Sequence, residues 1–153
     1  MDPLFIGTAV MTVLGPYLAK GGEVLTKEVS KDLYDKVKGF FKAEEDQKLL
    51  TAPEGKAKKI SVEKRLKEIL KDDVNALAEL SEALALSDAV TFKLQNIYNS
   101  TVVLKEELAF LYESQNNAGI GTEGDVKNRI ALQERKLEKL EKDFNNILLA
   151  SFK

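Results

Sequence analysis

The sequence predicts an all-α protein, a compact four- or five-helix bundle with an apolar N-terminal helix. Three observations carry this. Apolar residues recur at helical spacing in several separate stretches. An uncharged apolar run, residues 3–19, follows an Asp-Pro start. The clearest interruption, residues 114–124, is rich in asparagine and glycine.

Asp2 can cap the first free amides and Pro3 fits a first turn, so the first helix is expected over 3–19. That stretch lacks the positive segment of a secretory signal and is short of a comfortable membrane span. Pro16 and two threonines weaken a spanning role further. The expectation is a helix buried against the bundle; the alternative is one stored there and released. Pro16, beside Gly15, should kink this helix or divide it after Leu14. Gly21 and Gly22 form the next joint, because glycine lowers helix propensity and permits a positive φ.

Val24, Leu25, Val29, Leu33, Val37, Phe40 and Phe41 then mark a helix over about 23–43. Glu44, Glu45 and Asp46 sit badly at a helix C-terminus, which leaves that boundary open. Residues 49–58, punctuated by Pro53 and Gly55, read as a loop with Lys56, Lys58 and Lys59 as solvated charges. Ser61 is the expected cap of a helix over 61–84, with a stripe of Val62, Leu66, Ile69, Leu70, Val74, Leu77, Leu80 and Leu84. Ser87 or Asp88 should cap the next helix, which reaches about residue 113. Its stripe is Val90, Leu94, Ile97, Thr101, Leu104, Leu108, Leu111 and Tyr112. Thr122 should cap the last helix, over 123–150, with Ile130, Leu137, Leu140, Phe144 and Ile147 in near-heptad spacing. Gln133 and Ser151 take two places where an apolar residue would be expected.

The 153 residues suit one domain, 1–153. With 44% apolar and 31% charged residues the chain can bury a core and keep a solvated surface. Its 23 basic and 25 acidic side chains give a net charge of -2, without the strong positive balance of many nucleic-acid binders. Cysteine and histidine are both absent, which removes thiol and histidine chemistry and fits a cytoplasmic setting.

No residue pattern reads as a catalytic or metal site, and no cofactor, specific small-molecule signal or specific nucleic-acid signal is found. Glu44/Glu45, Asp72/Asp73 and Glu106/Glu107 are adjacent acids, which diverge by about 100° on a helix and read as solvent-facing charges. The AGIGTEG segment lacks the terminal Gly-Lys-Ser/Thr element of a phosphate loop and reads as a turn. The tyrosines read as core-edge packing groups, and Phe40 and Phe41 as core or interface residues. Leu137, Leu140 and Phe144 are the corresponding candidates on the last helix.

The opening MDPL followed by an apolar stretch resembles the start of HeLo-like death-associated helical domains. The segment PYLAKGGEVLTKEVSKDLYDKVKGFF resembles the opening of small bacterial helical modules of conflict and self/non-self signalling proteins. VEKRLKEILKDDVNALAEL is similar to the charged helix that follows in those modules. The resemblance implies a signalling or effector module that self-associates. It also implies that Leu4, Phe5, Ile6, Val10, Met11, Val13 and Leu14 form an effector or packing face.

The expected function is therefore a non-enzymatic protein-interaction or oligomerisation module, its partner another protein or a second copy. A membrane-disrupting effector with conditional membrane association is the alternative, and a purely structural helical protein the third reading. The run at 3–19 carries no cation, unlike a strongly cationic lytic helix.

Overall fold

Side-chain caps and acidic first turns set several of the helix boundaries. The structure, a computed structural model, describes residues 2–20, 28–52, 55–117 and 123–152. These form helices α1 (Pro3–Lys20), α2 (Glu28–Phe40), α3 (Glu44–Thr51), α4 (Lys56–Asp72), α5 (Val74–Leu84), α6 (Asp88–Asn117) and α7 (Glu123–Ala150), with no strand among the described residues. The protein is all-α, as its periodicity indicates. Seven described helices stand where four or five were expected.

Local chemistry explains the extra helices. The acidic run Glu44–Asp46 opens α3 instead of ending the helix before it. Carboxylates are favoured at the positive end of a helix. Gly55 holds a φ of 140°, which favours glycine, and α4 starts directly after it. Ser61 therefore lies inside α4 and is not its cap. Asp73 divides the expected 61–84 helix. Its backbone is extended, and its Oδ1 accepts from the Ala76 amide at 3.0 Å, capping α5. The break turns Val74 out of the expected core stripe; it is 76% exposed.

Three other boundaries can be compared with expectation. Asp2 accepts from the Leu4 amide at 2.9 Å and starts α1 as expected. Pro16 does not divide α1; its side chain is exposed within one continuous helix. Residues 114–117, expected as loop, continue α6. Gly21, Gly22 and Thr122 lie outside the described residues.

The chain comprises two compact units. The first, Met1–Leu86, holds α1 to α5. There α1 packs on α4, α5 and α2, while α3 packs on α4 and α2 on α5. Phe5, Ile6, Val10, Met11 and Leu14 of α1 are buried, as are Leu33, Val37 and Phe41 from the following segment. Val62, Leu66 and Leu70 supply the α4 side of this core. Asp46, also buried, ties α3 to α4. The Arg65 Nε donates to its Oδ1 at 2.7 Å and a terminal guanidinium nitrogen donates to its Oδ2 at 3.2 Å. Hydrogen bonding to Asp46 raises the Arg65 pKa above its ordinary value.

Lysine stems from α4 lie across two glycines of α1. A Cβ on Gly7 would stand 2.7 Å from Lys67 Cγ, near the root of that side chain. A Cβ on Gly15 would meet Lys59 Cε at 2.7 Å, near the free end of a flexible chain. The two sites should thus respond differently to alanine. Gly7→Ala is expected to cost about 1–3 kcal/mol through overpacking. Gly15→Ala should be neutral or gain up to about 1 kcal/mol of helix propensity as Lys59 swings aside. Urea unfolding of the two variants checks this, and equal responses would contradict the packing described.

The second unit, from Ser87, is the α6–α7 hairpin. Ser87 Oγ accepts from the Val90 amide at 3.2 Å, capping α6. The helices, 30 and 28 residues long, pack extensively against each other across a short connection and run antiparallel. Leu94, Tyr98, Thr101 and Leu108 of α6 are buried, with Ile130, Phe144 and Leu148 of α7.

Candidate functional site

The hairpin buries one face of α6, yet α6 carries apolar side chains on the opposite face too. Phe92, Val103 and Phe110 fall within about 20° of one line along the helix. That line lies about 180° from the one through Leu94, Thr101 and Leu108. Phe92 is 71% exposed and Phe110 is 68% exposed; Val103 is also exposed. Single exposed apolar side chains are ordinary, but these three share one line over about five helical turns, with the exposed Asn96 and Asn99 between Phe92 and Val103.

A groove of about 460 Å³ lies beside the C-terminal part of this line. Phe110, Leu111 and Leu132 supply its apolar walls, and Glu106, Glu107 and Arg129 its charges. Gln133 enters it from α7 and donates to Glu107 Oε2 at 2.9 Å. Its own Oε1 is buried without a hydrogen-bond partner among the described residues. A second groove, of about 550 Å³, is lined by Leu108, Leu137 and acidic side chains of α7. There Tyr112 donates its hydroxyl to Glu134 Oε1. This hydrogen bond raises the Tyr112 pKa above its ordinary value, with desolvation adding to it and the repulsion of a phenolate by the carboxylate adding further.

The outer face of α7 differs in charge. Arg135, Lys136 and Lys139, all exposed, follow Leu132 on it, with Asp125 and Asp143 on the same line; Lys142 lines the groove beside Leu137. On α6 the line is flanked by Glu106 and Glu107, whereas Lys93 and Lys105 lie off that face. Phe110 with Glu106 and Glu107 of α6, and Leu132 with Arg129 of α7, thus meet at one groove.

The residues singled out in the sequence fall into distinct settings. Phe5, Ile6, Val10, Met11 and Leu14 are buried in the first unit, with Leu4 and Val13 half-buried. Gly15 is buried and Pro16 exposed. Phe41 is buried and Phe40 half-buried. Phe144 is buried, while Leu137 and Leu140 are half-buried. Of the adjacent acids, Asp73 is a helix cap and Glu107 a hydrogen-bond acceptor; Glu44, Glu45, Asp72 and Glu106 are exposed. No group of three metal-ligating side chains occurs among the described residues, and no described helix is long and apolar enough to cross a membrane. Phe92, Val103 and Phe110 lie outside the single stripe that the periodicity of α6 predicts. Their signal is the spacing: Phe92 to Val103 is about three turns and Val103 to Phe110 about two.

Comparison with protein-family models, curated proteins and solved structures gives no match.

Proposed function

We propose that this chain is a non-enzymatic protein-interaction and oligomerisation module whose binding element is the α6–α7 hairpin. The observation that carries the reading is the second apolar face of α6, formed by Phe92, Val103 and Phe110. A helix with apolar side chains on opposite sides has two surfaces to cover, and the hairpin covers one. A role in conflict or self/non-self signalling is the setting that the N-terminal resemblance implies.

The test compares the full chain with Phe92→Ser/Phe110→Ser after affinity recovery from its native cells. Both side chains are exposed, so the variant should keep its helicity and melting temperature. The wild type should emerge in a complex, either with itself or with another protein, and the variant should emerge without it. Identical recovery as a lone monomer would reject the reading. The membrane-effector alternative draws on the apolar face of α1, which would have to leave the core of the first unit to act. Its readout is dye release from lipid vesicles by the full chain, and absence of release under activating conditions counts against it.

A further inference from the structure

We infer that the groove side of the α6–α7 hairpin is covered by the same side of a second copy, in a closed two-fold four-helix bundle. The inference rests on the interaction-module reading and names its occupant. Heptad rows are the first argument. Leu94, Thr101 and Leu108 recur every seven residues on α6 and are buried. Ile97, Leu104 and Leu111 recur at the same interval, three residues on, and are only half-buried. On α7, Leu140 and Ile147 continue a matching half-buried row that begins with Gln133. Leu111 and Gln133 both line the groove, so the two rows share that side of the hairpin. The hydrogen bonds from Tyr112 to Glu134 and from Gln133 to Glu107 fix the levels of the helices. They set Ile97 level with Ile147, Leu104 with Leu140 and Leu111 with Gln133. A seven-residue interval keeps a row facing neighbours of the same period, and a second copy has that period. The hairpin encloses one row from each helix; in a four-helix bundle the open rows face the core as well.

Charge fixes the orientation. Glu107 stands on the α6 wall of the groove and Arg129 on the α7 wall. Lys136 lies within about 20° of Arg129 around α7. A two-fold axis parallel to the helices lays α6 of each copy antiparallel on α7 of the other, and every residue keeps its level. Glu107 then falls level with Lys136 of the other copy, twice by symmetry. Phe110 falls level with Leu132 of the other copy, and the Ser100 hydroxyl with the Asp143 carboxylate. A two-fold axis across the helices lays α6 on α6 and α7 on α7. Centred on the groove, it sets the acidic wall against itself and Arg129 with Lys136 against their own copies. One groove with an acidic and a basic wall is self-complementary only in the first arrangement, which makes the contact isologous and closed.

Size is the third argument. From Lys93 to Ser114 on α6, and from Arg129 to Ala150 on α7, this side runs about 32 Å. Two packed helices present about 20 Å of width. The footprint, about 600 Å², is of the order of the roughly 800 Å² that each partner covers in a standard stable interface.

The full chain provides the test. In light scattering and sedimentation its mass should rise with concentration to a plateau at two copies. Glu107→Lys and Lys136→Glu, both at exposed positions, should each weaken dimerisation about tenfold and keep the circular dichroism melt. Mixing the two variants restores opposite charges at both symmetry-related contacts and should recover the dimer. The chain has no cysteine, so Asn116→Cys gives a single site for a spin label near the connection between the helices. Connections at the same end of the bundle should hold the two labels within about 25 Å, whereas opposite ends would separate them by more than about 35 Å. Growth beyond two copies, failure of the mixture to recover, or the longer distance overturns the inference. So does a wild-type chain that stays monomeric. If that monomer still binds a different protein through Phe92 and Phe110, the interaction-module reading survives while the dimer falls.

Discussion

Replacing Phe41 by alanine should destabilise the first unit by about 3–5 kcal/mol, while the same change at Phe40 should cost clearly less. Phe41 is fully buried, whereas Phe40 is only half-buried at the end of α2. Truncating a fully enclosed ring loses its transfer free energy and leaves a cavity that close-packed neighbours fill only partly. A half-exposed ring leaves less of a cavity, because water already reaches its site. Denaturant titration gives the comparison directly: the midpoint should fall much further for Phe41→Ala, with the slope unchanged. Equal losses at the two positions would contradict the described packing.

Arg65→Met is expected to destabilise the α3–α4 contact by about 1–3 kcal/mol. Asp46 would remain at a buried position after losing two guanidinium hydrogen bonds. Breaking a deeply buried pair typically costs about 3–5 kcal/mol. Here the Arg65 side chain is 38% exposed, so solvent access lowers the expected loss. The decisive measurement is a double-mutant cycle with Asp46→Ala, because removing the carboxylate as well should recover part of the Arg65→Met loss. Strictly additive losses would mean that the pair is uncoupled in the folded protein.

These two cases also show what the sequence can reveal. The burial of Leu33, Val37 and Phe41 follows from helical spacing, since a 3.6-residue period aligns them on one face. The division between α4 and α5 does not. The Val62–Leu84 pattern continues across Asp73, and only the bond from the Ala76 amide shows that this residue ends one apolar run and begins another. In the sequence Asp46 is one of three clustered charges. Its burial depends on Arg65, a partner 19 positions along the chain that no local pattern identifies. The candidate surface on α6 was legible in principle. Phe92, Val103 and Phe110 share one line by spacing, but the stripe through Leu94, Thr101 and Leu108 already supplies the buried face that one helix needs.

The two apolar faces of α6 also constrain how this segment can change length. Inserting one residue between Leu94 and Leu108 would rotate everything beyond it by about 100°. Leu108 would leave the seam with α7, and Phe110 would leave the line of Phe92. Loss of one residue would have the corresponding effect in the other direction. Insertions of about seven or eleven residues nearly complete a whole number of turns and keep both faces in phase. The helix thus has a permitted set of lengths, and natural variants of the hairpin should differ by such steps, with matching additions in α7.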